Sequence, residues 1–463
     1  MGNPDGRTKY ANGVWPDPVE DGPVCSRHRL STTRCGDTIA AMDPSGEAIV
    51  KFGQRIIDQA QHLGGITESP GMVTRTYLTP EHRRAGEYVI GLMREAGMRA
   101  DFDPLGNVVG RYESASSAVG GPTLLIGSHL DTVRNAGRYD GIFGVLSAVA
   151  CVGELHRQGR RLPFAIEVVG FGDEEGVRFG LALIGSKALA GEFDPAWLNL
   201  TDAQGTTLRQ ALTAYGLDAD AWPSVDRRGK GVLAYLEAHI EQGPVLLDEG
   251  LPLGVVTAIA GATRAKVTVT GLAGHAGTVP MTARRDALAA AAEMILAVER
   301  LCSGEPGLVG TVGRIEAKPG AVNVIAQDVE FTIDVRSGDD AARARALQAL
   351  QQAFDAIGAR RRVTVQVARF HDADAAPCHP VVQQLFADQI VAIGQPVRRL
   401  ASGAGHDAMV FPGLCPTGML FVRCGNGGIS HHPTEILSTE DADLATRVLL
   451  RAIESFDPAA LTR

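Results

Sequence analysis

The chain has 463 residues, of which 45% are hydrophobic and 21% are charged, and its formal net charge is −9 at pH 7. A chain of this length is too long for one ordinary hydrophobic core, so we expect a globular protein with two domains. The negative charge argues against nucleic acid as a partner, because phosphate binding needs a basic face, and charged residues interrupt every apolar run well short of a membrane span.

Residues 1–42 are predicted to form an N-terminal extension, whose first 24 residues are rich in glycine and proline. They contain no apolar h-region, so we expect no secretory signal. The seven cysteines are scattered without CxxC pairs, which is typical of reduced thiols. Together these features predict a cytoplasmic protein.

From residue 43 onward, strand-like and helix-like stretches alternate. The pattern predicts helices at 46–63, 80–97 and 144–157, strands at 107–112, 123–126, 164–171 and 231–240, and a short helical segment after 241. Such alternation predicts an α/β fold with a mixed, mostly parallel sheet that is flanked by helices. Ligands bind beyond the carboxyl ends of the strands in sheets of this kind.

The pattern changes near residue 253. It then predicts strands at 263–270, 308–316, 328–335 and 362–370, and helices at 281–301 and 341–357. This strand–helix–strand–strand–helix–strand order predicts an α+β sandwich. The first pattern returns with a helix at 380–393, a strand at 419–423 and a helix at 439–456. We therefore predict one domain of residues 43–252 and 373–463, into which a second domain, residues 253–372, is inserted.

Imidazole and carboxylate side chains follow several of the predicted strands. The candidate cluster contains His129, Asp140, Glu175, His239 and either His431 or His432. Taken singly, such a histidine is more often a surface residue, the aspartate beside a glycine can form a turn, and adjacent glutamates are usually solvated. The joint pattern at strand ends instead favours two divalent cations that share a bridging aspartate.

Two further acidic residues have candidate roles beside these ligands. Asp131 lies on the same side of an extended chain as His129 and could bind the far nitrogen of that imidazole. Glu174 and Glu175 point in different directions, which leaves Glu174 as a general base. The set contains no cysteine, so zinc, manganese, cobalt and nickel all remain open.

A second polar group comes from the predicted insertion. His275 lies in a glycine-framed loop, Asn323 lies between two strands, and Arg336 ends a strand. An arginine in this setting is usually a surface ion-pair residue, but with the other two it could bind a substrate carboxylate bidentately. The glycine-framed loop 402–407 could contact substrate, or it could simply cap a helix.

These motifs resemble the M20-type dinuclear metallohydrolases, and specifically their amidase, hydantoinase and carbamoylase branch. The matching segments are GSHLDTV, GRYDG, DEEGVRFG, LEAHIEQGPVL, GHAGTVPM, NVI with DVR, SGAGHDAM and GGISHHPTE, which span residues 127–435. The resemblance implies a metallopeptidase-like catalytic domain, with the inserted domain as both lid and dimerisation surface of a homodimer.

The resemblance also implies roles for individual residues. It implies metal ligands at His129, Asp140 as the bridge, Glu175, His239 and His431; catalytic residues at Glu174, Asp131 and His275; and substrate-binding residues at Gln242, His275, Asn323, Arg336, Gly405 and His406. The resemblance further implies that the His275 loop reaches the active site of a partner subunit.

The expected activity is metal-dependent hydrolysis of a linear ureido or carbamoyl C–N bond in a carboxylate substrate, with release of ammonia. Allantoate is the first candidate substrate, because the chain resembles the bacterial allantoate amidohydrolases. The alternatives are an N-carbamoyl-L-amino acid hydrolase or β-ureidopropionase and, in a different class, a non-catalytic binding protein. The last of these predicts a missing ligand or base, and the sequence lacks neither.

Overall fold

The computed structural model describes residues 51–115 and 121–462. The predicted N-terminal extension lies outside these ranges, and so do the first residues of the helix predicted at 46–63. The helices of the described residues are α1 (Gly53–Gly64), α2 (Pro80–Glu95), α3 (Ile142–Arg157), α4 (Ile184–Leu189), α5 (Leu208–Ala214), α6 (Val245–Asp248), α7 (Ala287–Ser303), α8 (Asp340–Arg361), α9 (Pro380–Ala392) and α10 (Thr439–Ser455).

The strands of the same residues form two large sheets and one short pair. They are β1 (Arg99–Phe102), β2 (Val108–Tyr112), β3 (Thr123–His129), β4 (Ala165–Phe171), β5 (Val232–Ile240), β6 (Leu253–Ile259), β7 (Gly261–Thr270), β8 (Gly274–His275), β9 (Leu308–Thr311), β10 (Ile315–Lys318), β11 (Val324–Ile325), β12 (Asp328–Ser337), β13 (Thr364–Ala373), β14 (Ala376–Pro377), β15 (Arg399–Ser402) and β16 (Thr417–Val422).

The larger sheet has nine strands in the described residues, in the order β1-β2-β4-β3-β5-β16-β6-β14, with β15 also paired to β6. Its centre is parallel, since β3 pairs in parallel with β4 and β5, and β16 pairs in parallel with β5. Antiparallel strands lie toward its edges. The prediction of a mixed, mostly parallel sheet flanked by helices is confirmed.

The central strands are apolar because both faces of the sheet are covered. Every residue of β3 and β4 is buried. Helix α3 packs on β3 and β5. On the opposite face, Leu125 of β3 and Val169 of β4 join one core with Leu208 of α5. Strands that are buried on both faces must be nearly continuous apolar runs, which is why the sequence pattern identified them.

The smaller sheet is antiparallel and is covered by α7 and α8. Its order is β10-β12-β7-β13, with β9 also paired to β12. Val267, Phe331, Phe354 and Met294 lie in one core that the strands share with these two helices. This arrangement agrees with the predicted α+β sandwich.

Two predicted elements of this region differ from the structure. The strand predicted at 308–316 is two strands, β9 and β10, because residues 312–314 leave the ladder between their pairings to opposite ends of β12. The helix predicted at 281–301 begins only at Ala287, where the side chain of Asp286 accepts the Leu288 and Ala289 amides as an N-cap.

Strand β6 hydrogen-bonds to β16, β15 and β14 of the larger sheet, so the smaller sheet begins with β7 at Gly261. The division at residues 253 and 372 stays a prediction. Among the described residues, no helix combines the length and the apolar character needed to cross a membrane. Their five cysteines are buried and unpaired, and the other two, Cys25 and Cys35, lie outside the described ranges.

Candidate metal centre

Three of the predicted metal ligands meet at the carboxyl end of the parallel strands. His129 ends β3, His239 lies one residue before the end of β5, and Asp140 lies just before α3. The Nε2 atoms of His129 and His239 lie 3.6 and 3.3 Å from Oδ1 of Asp140. All three side chains are almost fully buried. The structure therefore brings together residues 110 positions apart in the sequence, from 129 to 239.

A second group of ligand atoms shares the same aspartate. The Nε2 atom of His431 lies 3.0 Å from Oδ2 of Asp140 and 3.4 Å from Oε1 of Glu175. Asp140 thus presents one oxygen to each group, the geometry expected of a bridging carboxylate. His432 points away, with its Nδ1 atom 2.8 Å from the hydroxyl of Thr434. Of the two histidines that the sequence pattern left open, His431 is the one beside Asp140 and Glu175, so the geometry favours it as the predicted ligand.

The hydrogen bonds of the two buried imidazoles show that these groups fit a cation. Nδ1 of His129 lies 3.0 Å from the carbonyl oxygen of Asp131, and Nδ1 of His239 lies 2.8 Å from the carbonyl oxygen of Ile240. A carbonyl oxygen only accepts, so Nδ1 of each ring donates to it and Nε2 faces Asp140. In this orientation each Nε2 atom can bind a cation that Asp140 also binds, and the hydrogen bond at Nδ1 fixes the ring.

Two oxygen atoms support the same fit. Oδ2 of Asp140 and Oε1 of Glu175 are buried and have no hydrogen-bond partner among the described residues. A buried carboxylate oxygen without a donor is costly, and unsatisfied groups of this kind in native proteins call for an ion or another partner. The donor set of imidazole nitrogens and carboxylate oxygens matches zinc and the divalent metals near it.

The electrostatic field of the cluster also favours positive charge. The Asp140 carboxylate, whose Oδ2 atom lies 3.0 Å from Nε2 of His431, raises the pKa of His431 to about 9, against the effect of burial. Burial raises the pKa of Glu175 to about 7, and the charge of Asp140 adds to this shift. Burial lowers the pKa of His129, but Asp140 and Glu174 hold it well above its ordinary value. Surroundings that favour an imidazolium favour a divalent cation for the same reason.

Glycine is required where the Asp140 loop approaches the imidazoles. Gly141 has φ +67°, and a Cβ atom there would lie 2.5 Å from the ring of His129. A side chain would therefore collide with a predicted ligand and also strain the backbone. The glycine allows α3 to begin directly after Asp140 and so places that carboxylate among the imidazoles.

Glu174 lies beside the ligand groups with its backbone fixed by Asp131. The Glu174 amide donates to Oδ1 of Asp131 at 3.1 Å, and the Glu175 amide donates to Oδ2 at 3.2 Å. Burial and then the charges of Glu175 and Asp407 raise the pKa of Glu174 well above its ordinary value. A carboxylate with a raised pKa accepts a proton more readily, which suits a general base.

The structure places Asp131 differently from the detailed expectation. The predicted contact between its carboxylate and the far nitrogen of His129 is made instead by its backbone carbonyl, while its Oδ1 atom lies 3.7 Å from that nitrogen. The carboxylate instead accepts hydrogen bonds from the backbone amides of Glu174 and Glu175. Asp131 therefore links β3 to the turn after β4.

Three of the predicted substrate-binding residues lie at or behind the cluster. Gln242 donates from Nε2 to Oδ1 of Asp140 at 3.0 Å. A Cβ atom at Gly405 would lie 4.0 Å from Oε1 of Glu174, so this loop closely approaches the predicted base. His406 is buried, with its ring 4.4 Å from that of His239. It packs behind a predicted ligand, and its role in substrate binding stays a prediction.

The other three predicted residues lie on the smaller sheet and its loops. His275 and Asn323 are exposed, and within the described residues no hydrogen bond or ion pair joins either of them to the cluster. Arg336 donates from Nε and Nη2 to Asp334, and from Nη1 to the carbonyl oxygen of Gly403 at 2.9 Å. Of the three, Arg336 contacts the loop that runs toward Glu174.

Two buried residues that support the cluster were not predicted. Glu435 accepts the amides of Tyr139 and Asp140 through Oε1, and the hydroxyl of Ser430 through Oε2 at 2.7 Å. It thereby ties the Asp140 loop to the His431 loop. Its place in the GGISHHPTE segment was the available signal. Arg75, 1% exposed, donates to the carbonyl of Leu130, and nothing in its sequence context distinguishes it from a surface arginine.

Comparison with known proteins agrees with this geometry. A family model described as peptidase family M20/M25/M40 matches residues 125–455, which is most of the chain. The chain belongs to this family. The M20 match spans all of the predicted metal ligands, from His129 to His431, so the resemblance seen in the motifs is confirmed.

Proteins of similar sequence are named as amidohydrolases and deiminases. An N-carbamoyl-L-amino acid amidohydrolase of Geobacillus stearothermophilus is 40% identical and is aligned over 87% of this chain and 98% of its own. An allantoate deiminase of Arabidopsis thaliana is 38% identical over 91% of this chain and 85% of its own. This M20 chain is therefore a hydrolase of the amidohydrolase and carbamoylase group.

A solved structure shows the same fold. The amidase of the hydantoinase/carbamoylase family from Burkholderia multivorans superimposes with a TM-score of 0.82 at 33% identity. The superposition covers 88% of this chain and 98% of that protein. The M20 assignment thus holds for the three-dimensional arrangement as well as for the motifs.

Proposed function

We propose that this chain is a metal-dependent amidohydrolase that cleaves the linear ureido or carbamoyl C–N bond of a small carboxylate substrate and releases ammonia. One observation supports the proposal most directly: Asp140 presents one oxygen to each of two groups of ligand atoms, and Glu174 lies beside them with a raised pKa. This combination matches hydrolysis assisted by a metal pair and one carboxylate base.

Five residues would hold the ions. They are His129, Asp140, Glu175, His239 and His431, with Asp140 shared between the two positions. When bound, two divalent ions would supply Lewis-acid polarisation of the scissile carbonyl and lower the pKa of a water molecule. Imidazole and carboxylate donors suit zinc or manganese, and cobalt and nickel prefer similar ligands.

The protein's own residues then have separate tasks. Glu174 accepts a proton from the attacking water and passes it to the departing nitrogen, and Asp131 holds the backbone of Glu174 in place. Arg336 binds the substrate carboxylate and so orients the scissile bond. For a carbamoyl group, one water adds, the carbamoyl nitrogen leaves as ammonia, and the remaining carbamate decomposes to carbon dioxide and an amine.

Allantoate is the substrate that we propose first. It is a carboxylate with ureido groups, and the described cavity beside Arg336 is lined by a second arginine as well as by Asp334. The resemblance to allantoate deiminases supports this choice. The proposal of the wider substrate class, ureido and carbamoyl carboxylates, is supported by the metal centre and by the similarity to both groups of relatives.

An N-carbamoyl-L-amino acid is the second candidate, and one observation favours it. Phe370 and Val309 line the same cavity with side chains 63% and 58% exposed. Large apolar side chains that are left open to solvent inside a cavity can bind a hydrocarbon group of a ligand. The amino-acid side chain of a carbamoylase substrate is a group of that kind.

We further propose a cytoplasmic homodimer formed through the smaller sheet and its helices. His275 and Asn323 are exposed and form no hydrogen bond or ion pair with the cluster in the described part of their own chain. Their predicted roles in catalysis and substrate binding therefore require them to act in the site of a second subunit.

A substrate panel tests the proposed function. Protein reconstituted with manganese or zinc is assayed for ammonia release from allantoate, N-carbamoyl-β-alanine and several N-carbamoyl-L-amino acids. We expect turnover of allantoate above the others. Turnover of carbamoyl amino acids alone would select the second candidate, and no ammonia from any of them, with metal bound, would overturn the proposal.

Replacement of Arg336 by alanine should raise KM for carboxylate substrates by roughly ten- to a hundredfold, with a smaller effect on kcat. The reason is that a charge-assisted hydrogen bond to the bound carboxylate is lost. The measurement is steady-state kinetics on the preferred substrate and on its carboxamide analogue, which lacks the negative charge. The variant and the wild type should handle the carboxamide alike, whereas an unchanged KM for the carboxylate would place the binding group elsewhere.

A further inference from the structure

A cavity of about 520 Å³ lies on the smaller sheet beside the loop that follows β15. Arg264 of β7 and Arg336 of β12 line it from neighbouring strands, with Gly403 of the loop on its edge. The sequence motifs assigned a role to Arg336 but none to Arg264. The cavity thus contains a second guanidinium group that the proposed reaction has not used.

Asp334 holds the two arginines side by side. Its Oδ1 and Oδ2 atoms accept from Nε and Nη2 of Arg336 at 2.9 and 3.0 Å, and Oδ2 also accepts from Nε of Arg264 at 3.0 Å. The described residues offer no acceptor to the Nη1 and Nη2 groups of Arg264. Those N–H groups are free to donate to a ligand, and the three charged side chains leave the cavity with a net charge of +1.

The loop on the cavity's edge links it to the predicted base. Nη1 of Arg336 donates to the carbonyl oxygen of Gly403 on the cavity's edge. A Cβ atom at Gly405, two residues farther along the same loop, would lie 4.0 Å from Oε1 of Glu174. A substrate whose scissile bond lies beside Glu174 can therefore extend its remaining groups along this loop toward the arginines.

We propose that Arg264 is a specificity-determining residue that binds a second ureido carbonyl of the substrate while Arg336 binds the carboxylate. This inference rests on the proposed function. Allantoate has one carboxylate and two ureido groups on a single carbon, so one ureido group remains when the other reacts. A planar guanidinium with free N–H groups, held at a fixed position beside the carboxylate-binding arginine, is a suitable donor for that remaining carbonyl.

The test compares two substrates that differ in the second ureido group. Arg264→Met is assayed with allantoate and with N-carbamoylglycine, which has the carboxylate and one ureido group only. N-carbamoylglycine is measured as a substrate or, where its turnover is slow, as a competitive inhibitor of allantoate hydrolysis. We expect kcat/KM for allantoate to fall roughly ten- to a hundredfold, the range for loss of a hydrogen bond to a charged group. Binding of N-carbamoylglycine should be unchanged.

Lys266→Met is the matched control. Lys266 lies two residues from Arg264 on β7, is exposed to a similar extent (48% against 43%), and pairs with Glu330 of β12 as Arg264 pairs with Asp334. It does not line the cavity among the residues described. The control should behave as wild type toward both compounds, so a general effect of removing a cation from this strand would be visible.

Three results would overturn the inference. Equal losses for the two compounds in Arg264→Met would show that Arg264 acts only through Asp334 on the position of Arg336. No loss for allantoate would show that the second ureido group binds elsewhere. A wild-type protein that releases no ammonia would instead overturn the proposed function, and this inference with it. The wild-type assay is done first, so this result is distinguished from the other two.

Discussion

Replacement of Glu174 by glutamine should leave metal binding intact and reduce kcat by roughly 10²- to 10⁴-fold, the usual contribution of a positioned acid–base group. Glutamine preserves the shape of the side chain. It also preserves the 3.1 Å hydrogen bond to Asp131, which is donated by the backbone amide of residue 174 and not by its side chain. What it removes is the capacity to accept a proton from water. The measurement is ammonia release together with metal content per chain.

The neighbouring residue gives the contrast. Glu175→Gln should lose both metal and turnover, because Oε1 of Glu175 lies within 3.4 Å of Nε2 of His431 in the second ligand group. Two adjacent glutamates are therefore expected to differ in metal content while both lose activity. If Glu174→Gln retained full turnover, or lost metal as Glu175→Gln does, the assignment of the base would be wrong.

Replacement of Asp140 by asparagine should abolish the binding of the metal pair. Asp140 is the one carboxylate in both ligand groups, and an amide oxygen is a much weaker ligand for these ions. Added metal stabilises a protein that binds it only when folded, by about 2.7 kcal/mol at a hundredfold excess over Kd. Metal should therefore raise the thermal midpoint of the wild type and leave that of Asp140→Asn where it was.

Glu154→Gln is a control on the same helix. Glu154 is a buried carboxylate near the end of α3, 14 positions from Asp140, and it pairs with Arg157 and Gln158 instead of with the cluster. This variant should show the wild-type rise in thermal midpoint when metal is added. A rise of the same size in Asp140→Asn would mean that the ions bind elsewhere.

The core of the larger sheet could be predicted because its strands are buried on both faces. β3 and β4 are nearly continuous apolar runs, and the positions of polar residues at their ends follow from where those runs stop. Parallel strands have their carboxyl ends at one edge of the sheet, so His129 and His239 were expected to meet there, and they do. Pattern and topology together were sufficient for this part.

The finer geometry depends on contacts between residues that are distant in sequence. Glu435 binds the Asp140 loop across 295 positions, and no local pattern marks that partnership. His431 has a backbone φ of +54°. Neither hydrophobic periodicity nor composition predicts that conformation, so the sequence pattern left His431 and His432 as alternatives. The far nitrogen of His129 binds a backbone carbonyl where a carboxylate was expected, since every residue has a carbonyl and sequence gives it no signal.

The break between β9 and β10 has a similar origin. Residues 308–316 look like one strand because their side chains are compatible with a continuous ladder. The register to β12 shows instead that residues 312–314 leave the sheet, and Gly313 lines the cavity that Arg264 and Arg336 share. Irregular backbone beside a cavity is set by the tertiary structure and not by local propensity.

The most direct test of the central claim is ammonia release during return of metal to protein that has been freed of it by a chelator. We predict that the metal-free protein is inactive toward its best ureido substrate and that activity rises with added manganese or zinc until about two equivalents per chain are bound. Full ammonia release from the metal-free protein, or none after both equivalents have bound, would contradict the proposal that this cluster performs metal-dependent C–N hydrolysis.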